Sequence, residues 1–245
     1  MITFEEVSKQ YNLTNALTDI NLEIEDGEFI FLVGPSGAGK STLLKLLIRE
    51  ELPTAGRIFI GETEISSLPE KKVPHLRRTV GTIFQDFKLL PQRTVFENVA
   101  FPLEITGLPD AEVKRTATEI LKLVSLDSKA SHFPWQLSGG EAQRTAIARS
   151  MVQRPEILLA DEPTGNLDPQ SAWEIMQILA KLNKLGTTIV MATHNFDITS
   201  SLPHRMLEIR EGRLSKDTAS RKEVVERSRE MKETKGKKWK LYKDY

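Results

Sequence analysis

One glycine-rich segment constrains the fold of this chain more than any other feature. The sequence "GPSGAGKST" occupies residues 34–42, directly after the apolar run "FIFLV" and directly before a stretch with helical character. It satisfies the pattern G-x-x-x-x-G-K-[ST] through Gly34, Gly39, Lys40 and Ser41, in the strand-to-helix context that the pattern requires. Such a loop points its backbone N–H groups and the helix N-terminus at phosphate oxygens. We therefore expect a phosphate-binding loop rather than a plain glycine-rich turn.

The rest of the sequence predicts strands that alternate with helices. Predicted strands, bounded by Gly, Pro or Asp, are "ITFEEV", "INLEI", "FIFLVG", "RIFIG", "EILLA", "TTIVMA" and "RMLEI". Three continuous apolar runs, "FIFLV", "ILLA" and "TIVMA", are typical of strands covered on both faces. Helices are predicted over residues 41–50, 110–126 and 169–185, the last with Pro169 at its start and Gly186 after its end. This alternation predicts a parallel sheet with helices on it.

Residues 86–151 have a different character from the segments on either side. They contain no strong strand run, and the predicted helix over 110–126 has one apolar face. That face consists of Val113, Ala117, Ile120, Leu121 and Val124. We predict an inserted helical subdomain over about 86–151.

Composition excludes several classes of protein and partner. Lys plus Arg balances Asp plus Glu at 34 each, so the overall charge gives no reason to expect a nucleic-acid partner. The absence of cysteine excludes disulfides and cysteine-ligated metals, and is compatible with a reducing cytoplasm. No apolar run reaches the roughly 18 residues that a membrane span needs, and the polar start "MITFEEVSKQ" is unlike a signal peptide. We expect this chain to stay out of the membrane.

Two adjacent carboxylates follow a second buried strand. The run "ILLADEP" ends in Asp161 and Glu162, at the sheet edge where α/β proteins bind their ligands. Asp161 is suited to hold Mg²⁺, and Glu162 to orient or deprotonate an attacking water. The alternative is an acidic cap on a strand end. Beside a phosphate-binding loop, the pair predicts hydrolysis of a nucleoside triphosphate.

Three further polar candidates are weak individually. Gln85 in "TIFQD" can bring an amide oxygen to the metal or the water, or it is a solvated loop glutamine. His194 ends the strand "TTIVMATH", where it can contact the γ-phosphate and the water near Glu162, or it is a hydrogen-bonded turn histidine. Tyr11 can stack on the nucleotide base, or it is a half-buried strand aromatic.

A second glycine-rich segment, "LSGGE" at residues 137–141, lies at a predicted helix start. Ser138, with the backbone N–H groups and the helix dipole, forms a second preorganised anion site. Two such loops serve one nucleotide if a single chain closes around it, or, if the loops face outward, when two copies meet head to tail and each closes the site of the other. The alternative is a capping serine followed by flexible glycines.

Together these segments resemble the motifs of ABC-type ATPases. Residues 34–42, 85, 137–141, 157–163, 166–168 and 194 match the Walker A, Q-loop, signature, Walker B, D-loop and H-loop in order and at appropriate spacing. The resemblance covers residues 1–214. It implies an α/β P-loop NTPase fold with a RecA-like core, an N-terminal antiparallel β-subdomain and the inserted helical subdomain. It also implies ATP and Mg²⁺ as cofactors.

The resemblance assigns a role to each candidate residue. Glu162, His194 and Gln85 are the expected catalytic residues, and Ser41, Gln85 and Asp161 the expected metal ligands. Head-to-tail dimerisation on ATP binding is implied, with Ser138 and Gly140 of one subunit covering the γ-phosphate held by the other. The expected nucleotide-binding residues are Tyr11, Gly34, Pro35, Ser36, Gly37, Ala38, Gly39, Lys40, Ser41, Thr42, Ser138, Gly139, Gly140, Glu141 and Asp168.

The segment "FQDFKLLPQRTVFENVAFPLEITG", residues 84–107, carries a narrower resemblance, to FtsE-like cell-division ATPases. It implies an FtsX-like integral membrane partner, activation of peptidoglycan hydrolases, and a location on the inner face of the cell membrane. Lipoprotein-releasing (LolD-like) and macrolide-export (MacB-like) ATPases share "GNLD" at residues 165–168, and stay open as alternatives, as does an ATP-gated binding switch with slow turnover. Two residues depart from the pattern that the resemblance to ABC-type ATPases implies. Glu141 follows the signature glycines, where Gln is commoner, and Asn195 follows His194, where Asp is common.

Residues 215–245 form a basic C-terminal tail outside the family core. They hold 11 Lys and Arg against 6 Asp and Glu, and end in "KGKKWKLYKDY". Lysines interleaved with aromatic residues suit an anionic membrane surface. A solvated tail and a nucleic-acid contact stay open as alternatives.

Overall fold

The computed structural model describes residues 1–195, 199 and 202–218. The strands are β1 (Ile2–Tyr11), β2 (Thr14–Ile24), β3 (Phe29–Val33), β4 (Ala55–Ile60), β5 (Thr63–Glu64), β6 (Val80–Ile83), β7 (Ile157–Asp161), β8 (Thr188–Thr193), β9 (Arg205–Arg210) and β10 (Arg213–Asp217). The helices are α1 (Lys40–Leu47), α2 (Val73–Thr79), α3 (Val95–Glu104), α4 (Asp110–Leu123), α5 (Gly139–Met151) and α6 (Pro169–Lys184). Short 3-10 helices cover Glu70–Lys72, Asp127–Lys129 and Pro134–Gln136. The described residues divide into two compact units, one made of residues 1–77 with the described residues between 182 and 218, the other of residues 78–181.

The first unit contains both kinds of strand pairing. β2, β1, β4 and β5 form an antiparallel sheet in that order, which is the N-terminal β-subdomain that the family resemblance implied. β3 pairs in parallel with β8 on one side and with β9 on the other, and β10 is antiparallel to β9. All residues of β3 and of β8 are buried, as the continuous apolar runs predicted. The predicted mixed α/β fold is confirmed.

The second unit combines a parallel strand pair with helices. β6 and β7 are parallel, and α3, α4 and α5 pack against one another. Residues 86–151 contain helices and turns and no strand. The predicted apolar face of α4 is buried, with every one of its five residues less than a tenth exposed.

Three strands were missed by the sequence analysis: β5, which has only two residues, and β6 and β10, each for an identifiable reason. β6 is short and includes Gly81, which strands disfavour, but a Cβ at Gly81 would lie 2.7 Å from the Ser150 carbonyl oxygen. Close packing of this strand on α5 therefore requires the glycine. β10 has the polar sequence "RLSKD", and none of its residues is buried, so it carries no apolar pattern. β10 also runs across the predicted boundary at residues 214 and 215.

Left-handed residues end the predicted helices. α1 stops at Leu47 rather than residue 50, because Arg49 has a φ of 54° and the Glu50 N–H donates back to the Lys45 carbonyl at 3.0 Å. α4 stops at Leu123 rather than residue 126, since Ser125 has a φ of 57°. α6 ends before Gly186, whose φ of 93° matches the predicted stop. Such residues close a helix by satisfying its last carbonyls.

Two expectations from the sequence concern the membrane: that the chain does not span it, and that its basic tail contacts its surface. No helix among the described residues is long and apolar enough to cross a bilayer. The proposed membrane contact of the basic tail, including Trp239, Leu241, Tyr242 and Tyr245, lies outside the described residues.

Candidate functional site

The glycine-rich loop of the first unit connects β3 to α1. Gly34 and Gly39 have φ of 152° and 109° and sit against neighbouring backbone, since a Cβ would lie 2.2 Å from the Ile209 carbonyl oxygen in the first case and 2.5 Å from the Ala16 carbonyl oxygen in the second. Gly37 also has a positive φ, 77°, but a Cβ there would meet nothing within 4 Å. The loop is therefore shaped at its two ends by contacts that exclude a side chain.

The Lys40 side chain folds back onto this loop and binds backbone carbonyls at its start. Its side chain is 6 % exposed, and Nζ donates to the carbonyl oxygens of Gly34 at 2.8 Å and Pro35 at 3.0 Å. Pro35, Ser36, Gly37 and Ser41 are exposed, Thr42 is half-buried and Ala38 is buried. The N-cap of α1 is Gly39, which has no side chain to accept hydrogen bonds from the first N–H groups of the helix. The loop thus presents an ammonium group and a helix N-terminus, the two features that bind phosphate.

His194 reaches the same sheet edge as this loop. It directly follows β8, and Thr193 of β8 pairs with Val33, the last residue of β3. Its side chain is exposed. The structure therefore brings His194 and Gly34 to the carboxyl ends of two neighbouring parallel strands within one unit.

Tyr11 lies at the end of β1, and the residue is 37 % exposed. Lys9, two positions earlier on the same strand, places its Nζ 4.7 Å from the ring centroid and 2.7 Å from a carboxylate oxygen of Glu51. The pKa of Glu51 is lowered, first by its hydrogen bond with Lys9 and further by one with Tyr11. Sequence analysis missed Lys9 and Glu51. The spacing of Lys9 is the signal that was available, because residues i and i+2 of a strand share a face.

Asp161 and Glu162 end the buried strand β7 of the second unit. Both side chains are half-buried. Glu162 has a left-handed φ of 48°, and its carbonyl accepts a hydrogen bond from the Gly165 N–H at 3.1 Å. A Cβ at Gly165 would lie 3.3 Å from a carboxylate oxygen of Glu162. A tight turn therefore holds the predicted catalytic carboxylate.

Ser138 caps α5 through a reciprocal pair of hydrogen bonds with Glu141. The Glu141 N–H donates to Ser138 Oγ at 3.3 Å, and the Ser138 N–H donates to Glu141 Oε2 at 2.9 Å. The latter bond is the main cause of the lowered pKa of Glu141, which also forms an ion pair with Lys129 at 3.7 Å. Ser138 and Gly139 are exposed, whereas Gly140 is buried. The capping role that sequence analysis left open is thus real, and it leaves the serine at the surface.

Asp168 performs the same role for α6 in the second unit. Its Oδ1 accepts from the Ser171 N–H at 3.0 Å, and hydrogen bonds from Ser171, the side chain first, lower the Asp168 pKa. A Cβ at Gly140 would lie 2.8 Å from Ser171 Oγ. Arg144 of α5 forms an ion pair with Glu174 of α6 at 2.7 Å. The structure thereby brings the "LSGGE" segment and Asp168 together.

Gln85 is exposed and follows β6 in the second unit. Of the predicted residues, the first unit carries Tyr11, the 34–42 loop and His194, and the second carries Gln85, residues 138–141, Asp161, Glu162 and Asp168. No group of three or more His, Asp or Glu side chains in the described part of the chain is arranged to hold a metal ion.

Comparison with known proteins identifies the family. The sequence family described as ABC transporter matches residues 17–165. The chain belongs to the ABC transporter family. Among ABC transporter cassettes of known structure, it is similar to a dimeric ATP-binding cassette in a post-hydrolysis state bound to ADP and Pi, with a TM-score of 0.81, 36 % identity and coverage of 89 % of this chain and 97 % of that one. A dimeric bacterial ABC transporter cassette gives a TM-score of 0.82 at 37 % identity, with the same coverage.

Several proteins similar to this chain are named as cell-division proteins. The chain is 51 % identical over 218 residues to the cell division ATP-binding protein FtsE of Bacillus subtilis, covering 89 % of this chain and 96 % of that protein. FtsE of Escherichia coli K12 is 47 % identical over 215 residues, covering 87 % and 97 %. The predictions of an ABC-type ATPase and of a resemblance to FtsE are confirmed.

Proposed function

We propose that this chain is the ATP-binding and ATP-hydrolysing subunit of a cell-division complex, and that it drives an FtsX-like integral membrane partner from the inner face of the cell membrane. The main support is sequence identity near one half, over nearly the whole length, to proteins named for ATP binding in cell division. The matched stretches cover 87–89 % of this chain, so they reach both units.

The first unit binds the nucleotide in this proposal. Lys40 exchanges its hydrogen bonds with the Gly34 and Pro35 carbonyls for the β- and γ-phosphates, and the N–H groups of the loop and of α1 surround the phosphate oxygens. Tyr11, which is partly exposed, stacks its ring on the adenine. Mg²⁺ bound with ATP would be held by the Ser41 hydroxyl, the Gln85 amide oxygen and Asp161, and would neutralise phosphate charge.

Glu162 is the proposed general base. It orients a water for attack on the γ-phosphorus and accepts its proton as the new P–O bond forms and the bond to the ADP oxygen breaks. His194 contacts the γ-phosphate, and its position at the end of β8, level with Gly34, supports this role. Gln85 completes the alignment of the water.

Two copies complete the sites in a head-to-tail dimer. Ser138 and Gly140 of one copy cover the γ-phosphate that the other copy holds, and Asp168 contacts the opposite copy. The exposed position of Ser138 and its place at the N-terminus of α5 support this arrangement, because a helix N-terminus favours an anion. Similar ABC cassettes are dimers.

Glu162→Gln tests the catalytic assignment, with Glu156→Gln as its matched control, since the exposed Glu156 precedes the same strand. We expect Glu162→Gln to retain ATP and to dimerise, while phosphate release falls by about 10²-fold or more. Glu156→Gln should hydrolyse ATP at the wild-type rate. Unchanged phosphate release in Glu162→Gln would remove this residue from its role.

The same ATP-retaining variant tests the partner. Tagged Glu162→Gln protein, captured from membranes of the source organism in the presence of ATP, should co-purify with one FtsX-like membrane protein, identified by mass spectrometry. Recovery of a lipoprotein-releasing or efflux permease instead would overturn the cell-division role and leave the ATPase assignments intact.

A further inference from the structure

The segment that follows Gln85 has a backbone conformation that its residues disfavour. Phe87 and Lys88 are consecutive, and both lie in the left-handed region, with φ of 58° and 47°. Bulky side chains rarely adopt this conformation, and two such residues in a row persist only when surrounding contacts hold them. The Phe87 N–H donates to the Phe84 carbonyl at 3.2 Å, and the Lys88 N–H to the Asp86 carbonyl.

Arg149 supplies those holding contacts from a distant point in the sequence. Its guanidinium donates through Nη1 to the Lys88 carbonyl oxygen at 2.6 Å and through Nη2 to the Phe87 carbonyl oxygen at 2.8 Å. The planar guanidinium, with its two parallel donors, thus acts as a fork that binds the carbonyl oxygens of the two left-handed residues, one donor to each. In the described part of the chain Arg149 forms no ion pair, and its positive charge strengthens the two hydrogen bonds to these carbonyl oxygens.

The environment of Arg149 makes these bonds costly to lose. The side chain is half-buried, and burial lowers the pKa of its guanidinium. A cation that is partly removed from water needs hydrogen-bond acceptors, and here the acceptors are the carbonyl oxygens of Phe87 and Lys88. Lys88 also places its Nζ 3.9 Å from the Phe84 ring centroid, which ties the segment back to the residue before Gln85.

Arg149 also belongs to the helix that presents Ser138. It lies in the last turn of α5, the helix that begins after Ser138, and a helix transmits a rigid displacement along its length. One guanidinium therefore connects the helix of the "LSGGE" segment to the backbone two and three residues beyond Gln85. All of these residues lie in the second unit.

We propose that Arg149 is a positioning residue for Gln85: its fork holds residues 87–88 in their strained conformation and thereby sets the orientation of Gln85 according to the position of α5. This inference rests on the proposed function, in which Gln85 serves the metal and the attacking water. This role requires the two parallel N–H donors of the guanidinium, one for each carbonyl oxygen. A lysine at position 149 keeps the charge but offers no second parallel donor.

Hydrogen exchange of the full-length protein, resolved by mass spectrometry for residues 84–89, tests whether Arg149 stabilises the conformation of residues 87 and 88. Arg149→Met should raise exchange of the Phe87 and Lys88 amides by about tenfold or more, because charged hydrogen bonds are lost. Arg149→Lys should give an intermediate increase. ATP binding should stay at the wild-type level in both variants, while kcat falls. Wild-type exchange rates in Arg149→Met would overturn the inference.

A second-site glycine separates this role from a general effect on folding. Glycine adopts positive φ at no steric cost, so Lys88→Gly in the Arg149→Met background should restore part of the lost kcat. Ser125→Gly is the matched control, because Ser125 is another left-handed residue of the same unit, with a φ of 57°. Absence of rescue by Lys88→Gly, or equal rescue by Ser125→Gly, would overturn the inference. A wild-type protein that hydrolyses no ATP would instead contradict the proposed function, and the exchange result would still decide the role of Arg149.

Discussion

Val33 and Thr193 are paired across the parallel strands β3 and β8. Each is the last residue of its strand, so Gly34 and His194 leave the sheet side by side at the same edge. This is the edge at which open α/β sheets bind their ligands. The pairing places the proposed γ-phosphate contact level with the start of the phosphate-binding loop.

His194→Ala should therefore affect turnover more than binding. We expect kcat for ATP hydrolysis to fall by about 10²-fold, as when a positioned polar group is lost from the transition state, because Lys40, the loop and Tyr11 still hold the nucleotide. Steady-state phosphate release and equilibrium ATP binding measure the two effects. The exposed His75 of α2 gives a control, His75→Ala, that should change neither. An equal loss of affinity and of turnover in His194→Ala would contradict the assignment.

Gly39 and Gly37 should respond differently to alanine. At Gly39 the added Cβ would lie 2.5 Å from the Ala16 carbonyl oxygen and 2.8 Å from a Leu17 methyl carbon, so the loop must move and ATP binding should be lost. At Gly37 the new methyl meets open space, and only the left-handed backbone is penalised, by about 1–2 kcal/mol. Urea unfolding and ATP titration of both variants provide the comparison. Equal effects at the two positions would show that contact with β2 does not shape the loop.

The ring of Tyr11 should contribute to binding of the base and not of the phosphates. Tyr11→Ala should weaken ATP binding by about tenfold, since stacking of a base on an aromatic ring is worth about 1–3 kcal/mol. Tripolyphosphate, which has no base, should bind Tyr11→Ala and wild type equally. Glu51→Gln should weaken ATP binding less, because it loosens the Lys9 and Tyr11 contacts but keeps the ring. Equal weakening of ATP and tripolyphosphate would argue against stacking.

Stability should depend on pH through Glu141. The Ser138 N–H lowers the pKa of Glu141 below its ordinary value of 4.5 in the folded protein, so the unfolded chain takes up this proton at a higher pH. The stabilisation is therefore present at neutral pH and is lost as pH falls from about 4.5 through the folded pKa. Glu141→Gln, which keeps an acceptor for the Ser138 N–H, should flatten this acid-side loss in urea unfolding midpoints measured between neutral and acidic pH.

Ser138→Ala is the companion variant for that experiment. It removes the cap acceptor itself and should cost about 1 kcal/mol at neutral pH, while Glu141 remains able to titrate. If Glu141→Gln retains the full acid-side loss of the wild type, another carboxylate is responsible for it.

Sequence analysis succeeded where a feature depends on neighbouring residues. The helix start at Ser138, the helix stop at Gly186 and the buried strand "FIFLV" were all predicted, because helix starts, helix stops and apolar runs are encoded within a few positions. It failed for β6, where Gly81 is required by contact with Ser150, a residue far along the chain.

The sequence by itself determined the family, the fold class and the residue types of the candidate site, because each motif carries its chemistry in a short segment. Only the tertiary structure decided which residues support them. Glu51 contacts Lys9 and Tyr11, which are far from it in sequence but lie in the same unit. Arg149 binds the backbone carbonyls of residues 88 and 87, which precede it by 61 and 62 positions. Such contacts depend on how strands and helices pack, and packing joins residues whose separation in sequence contains no periodic or local signal.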